Sequence, residues 1–187
     1  DRQGSDFLMV CNQIKDMLKS NAVPIVLPIG NEEDFKGIVD LVKNRGIVWH
    51  EENKGTTFDV VDIPEDMQDE VEKYRANLIE AVAEYDDNLL EKFFEDPESI
   101  SEDEIHEALR KAAQDMSIIP MVCGSAFKNK GVQFLLDCVC RYLPSPLDKK
   151  AIVGTDPQND NEILRRPSAS EPFSALAFKI ATDPYVG

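Results

Sequence analysis

The sequence predicts an α/β fold, because short apolar segments typical of strands alternate with amphipathic segments typical of helices. The strand-like segments are bounded by prolines or turn residues, and they lie at residues 24–28, 35–42, 46–50, 57–63 and 118–123. The clearest helical segment covers residues 65–84. With 187 residues, 42% of them hydrophobic, the chain can bury the core of one large domain or two small ones.

The first predicted element is a helix over residues 6–19. Asp6 at its start suits the positive end of the helix dipole. The apolar residues of this segment recur at helical spacing: Phe7, Val10, Ile14, Met17 and Leu18.

Strands are predicted next. Residues 24–28 hold three apolar residues between two prolines. Residues 35–42 and 46–50 are expected to be two strands joined by the turn-like segment 43–46, and residues 57–63 a further strand.

The helix predicted over residues 65–84 has two distinct faces. It follows Pro64 and carries Glu65 and Asp66 in its first turn, where acidic residues are favoured. Its apolar stripe consists of Met67, Val71, Tyr74, Leu78 and Val82. Four acidic residues lie mostly off that stripe and are expected on the solvent side: Asp69, Glu72, Glu80 and Glu84.

Two more helices are predicted before the last strand-like segment. One starts at residue 86 and runs to residue 95. The other opens with a capping box formed by Ser101 and Glu104, and it continues to about Met116.

The C-terminal part begins with a strand at residues 118–123, expected to be buried by its composition. A helix over residues 132–143 follows, and prolines end it. Its inward residues are predicted to be Phe134, Leu135, Val139 and Leu143. The polar, proline-rich residues 147–172 predict a linker or an extended loop, and residues 173–181 a strand. Because a single terminal strand cannot be a domain, we expect a larger protein.

Charge is concentrated in one block. The net charge is −16, and residues 59–107 alone hold 19 acidic and three basic residues. This balance argues against a nucleic-acid module, which needs clustered lysine and arginine. The block indicates either a surface for a basic partner or a solvated face that keeps the protein soluble.

No apolar run is long enough to cross a membrane, and the polar opening residues do not resemble a secretory leader. The cysteines have no metal-ligand spacing and fit a reduced, cytosolic protein: Cys11, Cys123, Cys138 and Cys140. His50 and His106 have no evident partners. Neither a phosphate-binding G-x-x-x-x-G-K-S/T loop nor a calcium loop is present, so we predict no catalytic and no metal-binding residue.

The segment 119–126 runs from a strand into a Gly-Ser-Ala turn. In open α/β folds, ligands bind where loops leave the carboxyl ends of strands, so a backbone amide here could meet a base edge. The alternative is that the turn is an ordinary connection between a strand and a helix, without a binding role.

Several motifs together resemble the bacterial elongation factor G family of translational GTPases. The most specific are residues 124–133, 142–146 and 177–180, the last followed by Asp-Pro-Tyr-Val-Gly at 183–187. Residues 1–4 look like the continuation of the family's Asn-Lys-Met-Asp guanine motif. The resemblance covers essentially the whole chain.

The resemblance implies part of a P-loop GTPase G domain with an inserted G′ subdomain of mixed sheet and helices. Residues 1–28 would belong to the G domain after its guanine motif, and residues 29–116 to the G′ insert. Residues 117–147 would return to the G domain, residues 148–172 would be a linker, and residues 173–187 would be the first strand of domain II.

The resemblance also implies half of a guanine pocket. Asp1 would accept hydrogen bonds from guanine N1 and N2, Ser125 would support that aspartate, and the Ala126 amide would bond guanine O6. The phosphate loop, switches and catalytic histidine of the family have no counterpart in these residues. We therefore expect no GTP hydrolysis and no bound GTP, GDP or Mg²⁺ in this chain alone, although the parent would use all three.

In the family, the acidic helix of the insert contacts the stalk protein of the large ribosomal subunit. The matching helix is 65–84, and its expected partner face consists of Asp69, Glu72, Glu80 and Glu84. The parent would hydrolyse GTP in the cytoplasm to drive translocation of tRNA and mRNA on the ribosome. The chain itself would be monomeric, without direct nucleic-acid or membrane binding. The alternative parent is a related ribosome recycling or ribosome protection factor.

Overall fold

A computed structural model describes residues 1–182, except for the side chains of residues 87 and 98. The chain divides into two compact units, the first covering Asp1–Leu143 and the second beginning at Pro144. In chain order the first unit contains α1 (Phe7–Leu18), β1 (Ala22–Pro24), β2 (Val26–Ile29), β3 (Gly37–Asp40), β4 (Arg45–Trp49), β5 (Phe58–Val61), α2 (Gln68–Ala83), α3 (Asp87–Glu95), α4 (Glu102–Gln114), β6 (Ile119–Met121) and α5 (Val132–Tyr142).

The α/β prediction is confirmed, and the first unit contains one parallel and one antiparallel sheet. β1 and β6 form a parallel pair in which Ala22 lies opposite Ile119. The strands β2, β3, β4 and β5 form an antiparallel sheet in that order, in which each strand pairs with the next along the chain. Helices α2 and α4 pack against each other and contribute to a common core with the strands.

The single strand predicted at residues 24–28 is wrong, because two strands of different sheets occupy this segment. The change occurs at the fully buried Ile25. Its amide donates to the carbonyl of Met121 in β6, and its carbonyl accepts from the amide of Leu41 after β3. One residue therefore links the parallel pair to the antiparallel sheet.

The turn after β3 starts earlier than predicted, because Asp40 caps it. The Asp40 carboxylate is buried and accepts from the amides of Val42 and Lys43, at 3.0 and 3.2 Å. Residues 41–42 consequently belong to the turn, and β3 stops at Asp40.

The predicted capping box is confirmed at the start of α4. The Ser101 hydroxyl accepts from the amide of Glu104, and the Glu104 carboxylate accepts from the amide of Ser101. α4 ends at Gln114, two residues earlier than predicted.

The expectation that α5 turns Leu135, Val139 and Leu143 inward is wrong. These side chains are between 41% and 54% exposed. α5 instead packs against α4 through Tyr142, which is buried, while Phe134 is half-buried. The helical spacing identified an apolar face of α5, but the contacts with α4 bury a neighbouring face of the helix.

The second unit contains an antiparallel hairpin of β7 (Ile152–Thr155) and β8 (Glu162–Arg165), where the sequence predicts a linker or extended loop. The strand predicted at residues 173–181 is absent: these residues have no regular structure, and Phe173 and Phe178 are exposed. A strand needs a neighbour to satisfy its backbone groups, and the described residues supply none here. The predicted motif at 183–187 lies outside the described residues. Within residues 1–182, no helix is long and apolar enough to span a bilayer.

Candidate functional site

The four predicted partner-binding acids lie together on the exposed side of α2. Asp69, Glu72, Glu80 and Glu84 are all exposed, and Glu84 is the C-cap of the helix. At 3.6 residues per turn, their positions fall within a stripe about 120° wide, and at 1.5 Å per residue they span about 22 Å. We call these four residues the acidic stripe.

The acidic stripe is held outward by the opposite face of α2. Val71, Leu78 and Val82 are buried there, as the apolar pattern predicts. Arg75 fixes the helix to the turn between β3 and β4 by donating to the carbonyls of Leu41 and Val42. The stripe is therefore presented on a fixed helix.

One base interrupts the acidic stripe. Lys73 falls within the same arc of α2, and its ammonium lies 5.8 Å from the ring centroid of Tyr74. The sequence analysis did not assign Lys73 to this face, although Lys73 follows Asp69 by four residues, about one helical turn.

The predicted guanine-contacting turn is tightly closed. Ser125 and Lys130 exchange backbone hydrogen bonds, each 2.9 Å long. The buried Ser125 accepts a further bond at its hydroxyl from the amide of Lys128, and Ala126 is exposed. Gly131 ends the turn with a φ of +83°, a conformation that glycine adopts without strain. We call residues 125–131 the Ser-Ala turn.

Asp1 lies near the approach to this turn. The half-buried Asp1 lines a groove of about 380 Å³ together with Met121, Cys123 and Gly124, the segment that leads from β6 into the Ser-Ala turn. Ser125 and Ala126 do not line the groove but follow it directly in the chain. The structure thus brings Asp1 to the carboxyl end of β6, as the α/β rule for ligand sites expects.

The chemistry of these groups fits a guanine base. A carboxylate such as Asp1 is an acceptor, and guanine presents two donors at N1 and N2. The Ser125 hydroxyl already accepts one bond, so it retains its own proton to donate to a carboxylate.

His106, for which the sequence suggests no partner, lies in a hydrogen-bonded cluster on α4 and α5. Its Nδ1 is 2.7 Å from the Tyr142 hydroxyl, and Arg141 donates to its Nε2. Burial first, and the positive charge of Arg141 second, lower the pKa of His106 to about 4. At neutral pH the ring is therefore uncharged. It accepts from Arg141 at Nε2 and carries its proton on Nδ1, next to the Tyr142 hydroxyl, so the cluster is a structural hydrogen-bond network.

Sequence reasoning missed a buried lysine in the Ser-Ala turn. Lys130 is 2% exposed, and its ammonium lies 2.6 Å from the carboxylate of Glu51 and 2.8 Å from the carbonyl oxygen of Phe35. Nothing in the local pattern distinguishes Lys130 from Lys128, because burial here depends on residues about 80 to 95 positions away.

No protein-family model matches the chain. Three curated relatives match all of it: elongation factor G of Cytophaga hutchinsonii at 64% identity, of Amoebophilus asiaticus at 55%, and of Karelsulcia muelleri at 48%. The chain covers 26–27% of each relative. It therefore spans about a quarter of the length of the curated relatives it matches.

A solved structure from Thermus thermophilus shares the fold. The two structures align with a TM-score of 0.67 and 22% sequence identity. The alignment covers 87% of this chain and 25% of the solved chain. The predicted family resemblance is confirmed by the sequence relatives: along its whole length, this chain is similar to a segment that makes up about a quarter of elongation factor G.

Proposed function

We propose that the chain is the part of a ribosomal translocase that completes the guanine pocket of its GTPase domain and docks onto the ribosomal stalk. The whole protein would bind GTP or GDP with Mg²⁺ and hydrolyse GTP to drive movement of tRNA and mRNA. The similarity to elongation factor G over the full chain supports this parent activity. The proposal includes a cytoplasmic location, a monomeric state and no direct contact of this chain with nucleic acid.

The proposed division follows the family. Residues 1–28 and 117–147 would complete the G domain, and residues 29–116 would form the G′ insert. Residues 148–172 would connect to domain II, which would begin at residue 173. The antiparallel sheet and helices α2 to α4 all lie within the proposed insert.

The observation that carries the docking proposal is the acidic stripe. Four exposed carboxylates share one face of α2, whose opposite face is packed into the core. Such a surface attracts a partner with exposed lysines, increases the encounter rate and weakens in salt. We propose the C-terminal domain of the stalk protein as that partner.

The docking test is a titration of the chain with the stalk C-terminal domain at low and high salt. We expect saturable binding that weakens as salt rises. Glu80→Lys combined with Glu84→Lys should reduce it. Absence of binding at low salt would contradict the docking proposal and leave the stripe as solubilising charge.

The guanine-pocket proposal assigns Asp1 to guanine N1 and N2, Ser125 to support of Asp1, and the Ala126 amide to O6. It assigns no catalytic role to any residue of the chain. The purified chain should therefore show no GTP turnover above a matched blank. Turnover that persists through further purification would contradict this assignment.

The parent activity requires the full-length gene product. In a reconstituted translation reaction, we expect it to accelerate GTP-dependent translocation. A product that splits ribosomes after termination, or that protects them, without translocating would assign it to a related factor instead.

A further inference from the structure

The Ser-Ala turn is anchored to the antiparallel sheet by a buried ammonium group. Lys130 donates to the carbonyl of Phe35, before β3, and to the carboxylate of Glu51, after β4. A lysine this buried is stable only with such partners. Glu51 itself is 63% exposed at its side chain, and its hydrogen bond with Lys130 lowers its pKa.

Side chains near Lys130 add contacts to the loop that joins β4 to β5. Asn129 donates to the carbonyls of Lys54 and Gly55 at 3.3 and 3.4 Å, and Gln133 donates to the carbonyl of Gly55 at 3.0 Å. The φ of Gly55 is +66°, and a Cβ there would lie 2.6 Å from the carbonyl oxygens of Lys128 and Asn129. The loop between β4 and β5 therefore lies directly against the Ser-Ala turn.

Lys130 also connects this anchor to the predicted guanine contacts. Its backbone exchanges two hydrogen bonds with Ser125, and the carbonyl of Ala126 accepts from the amide of Asn129. A shift of Lys130 would consequently move the backbone of Ser125 and Ala126. Through Glu51, the position of these residues depends on the sheet of the proposed insert.

We infer that Lys130 and Glu51 are positioning residues that hold the Ser-Ala turn in its guanine-binding geometry and couple it to the antiparallel sheet. The inference rests on the proposed function, because it takes guanine as the ligand. Coupling of this kind is reciprocal. Nucleotide binding should therefore reinforce the contact between the turn and the loop that follows β4.

The test uses the full-length gene product and the variant Glu51→Ala. Because Glu51 is mostly exposed and Lys130 keeps its bond to the Phe35 carbonyl, removal of the Glu51 carboxylate should leave the protein folded. The matched control is Glu52→Ala, which removes the same charge from the adjacent exposed residue. Two quantities are measured: hydrogen exchange at the amides of Ser125 and Lys130, and the dissociation constant for GDP.

We expect Glu51→Ala to increase exchange at both amides and to raise the GDP dissociation constant about tenfold, equivalent to about 1.4 kcal/mol. Glu52→Ala should change neither. The ratio of GDP to IDP affinity should also fall, because Ser125 would support Asp1, and Asp1 would contact the N2 amino group that IDP lacks. Partial unfolding would instead weaken the binding of both nucleotides equally and leave that ratio unchanged.

Other outcomes overturn the inference. Faster exchange with unchanged GDP affinity would contradict the coupling, and unchanged exchange would contradict the anchor itself. If the unsubstituted protein bound no GDP, the proposed function and the nucleotide role of the turn would both fail. Exchange at Ser125 and Lys130 would then still decide whether Glu51 anchors the turn.

Discussion

Charge reversal at the C-terminal end of α2 is the sharpest test of the acidic stripe. Glu80→Lys with Glu84→Lys replaces two exposed carboxylates by ammonium groups while leaving the buried Leu78 and Val82 in place. Positive charge suits the C-terminal end of a helix, so α2 should remain intact. Any loss of binding then reports on the partner contact.

The expected loss can be worked from the stripe. An exposed ion pair contributes about 0.5 kcal/mol, and reversing one charge replaces that attraction by repulsion of similar size. Two reversals therefore cost about 2 kcal/mol, or about 30-fold in affinity. The stripe spans about 22 Å. Because the Debye length is about 8 Å at physiological salt, Glu80 and Glu84 at one end of the stripe act largely independently of Asp69 and Glu72 at the other end.

The assay measures association rate and affinity for the stalk C-terminal domain at about 50 and 500 mM salt, which brackets physiological screening. The matched control is Glu91→Lys with Glu95→Lys, two exposed acids on α3 that give the same change in net charge. We expect the α2 variant to lose most of its association rate at low salt and the α3 variant to lose little. Equal losses in both variants would refute the stripe, because total charge would then explain the binding.

Three further predictions follow from the same structure. Lys73→Glu reverses the charge of the base within the acidic stripe and should strengthen stalk binding about fivefold at low salt, because it removes one repulsion and adds one exposed pair; unchanged affinity would place Lys73 outside the contact. Ser101→Ala removes the capping box of α4 and should lower the free energy of unfolding in urea by about 1 kcal/mol; an equal loss from Ser99→Ala would show that the cap contributes nothing specific. Because the pKa of His106 is about 4 in the folded protein and 6.5 is its ordinary value, the unfolded state binds the extra proton between these values, and stability should fall as pH drops from 6.5 toward 4. His106→Gln should flatten this dependence above pH 4.5, and a slope identical to that of the unsubstituted protein would contradict the assignment.

Elements with strong local signals could be predicted from the sequence. The apolar stripe of α2 and the acids outside it follow from 3.6-residue periodicity, which depends only on neighbours three and four positions apart. The capping box at Ser101 is equally local, since both partners lie within one turn. The acidic stripe could therefore be predicted without knowledge of any tertiary contact.

The Ser-Ala turn was readable only as a motif. Residues 124–133 identify the family, but the buried environment of Lys130 depends on Phe35 and Glu51, far away in the chain. Side-chain burial at such sites is decided by which segments meet, and a single sequence carries no direct record of that.

The sequence by itself determined the helices and most of the strands of the first unit, where the acidic stripe lies and which family the chain resembles. Only the tertiary structure decided that residue 25 passes between two sheets, that α5 leaves Leu135 and Val139 exposed, and that Glu51 contacts the buried Lys130. The physical reason is the range of the interactions. Periodicity and capping act within a few residues, whereas strand partners, buried faces and ion pairs form between segments that only the folded chain brings together.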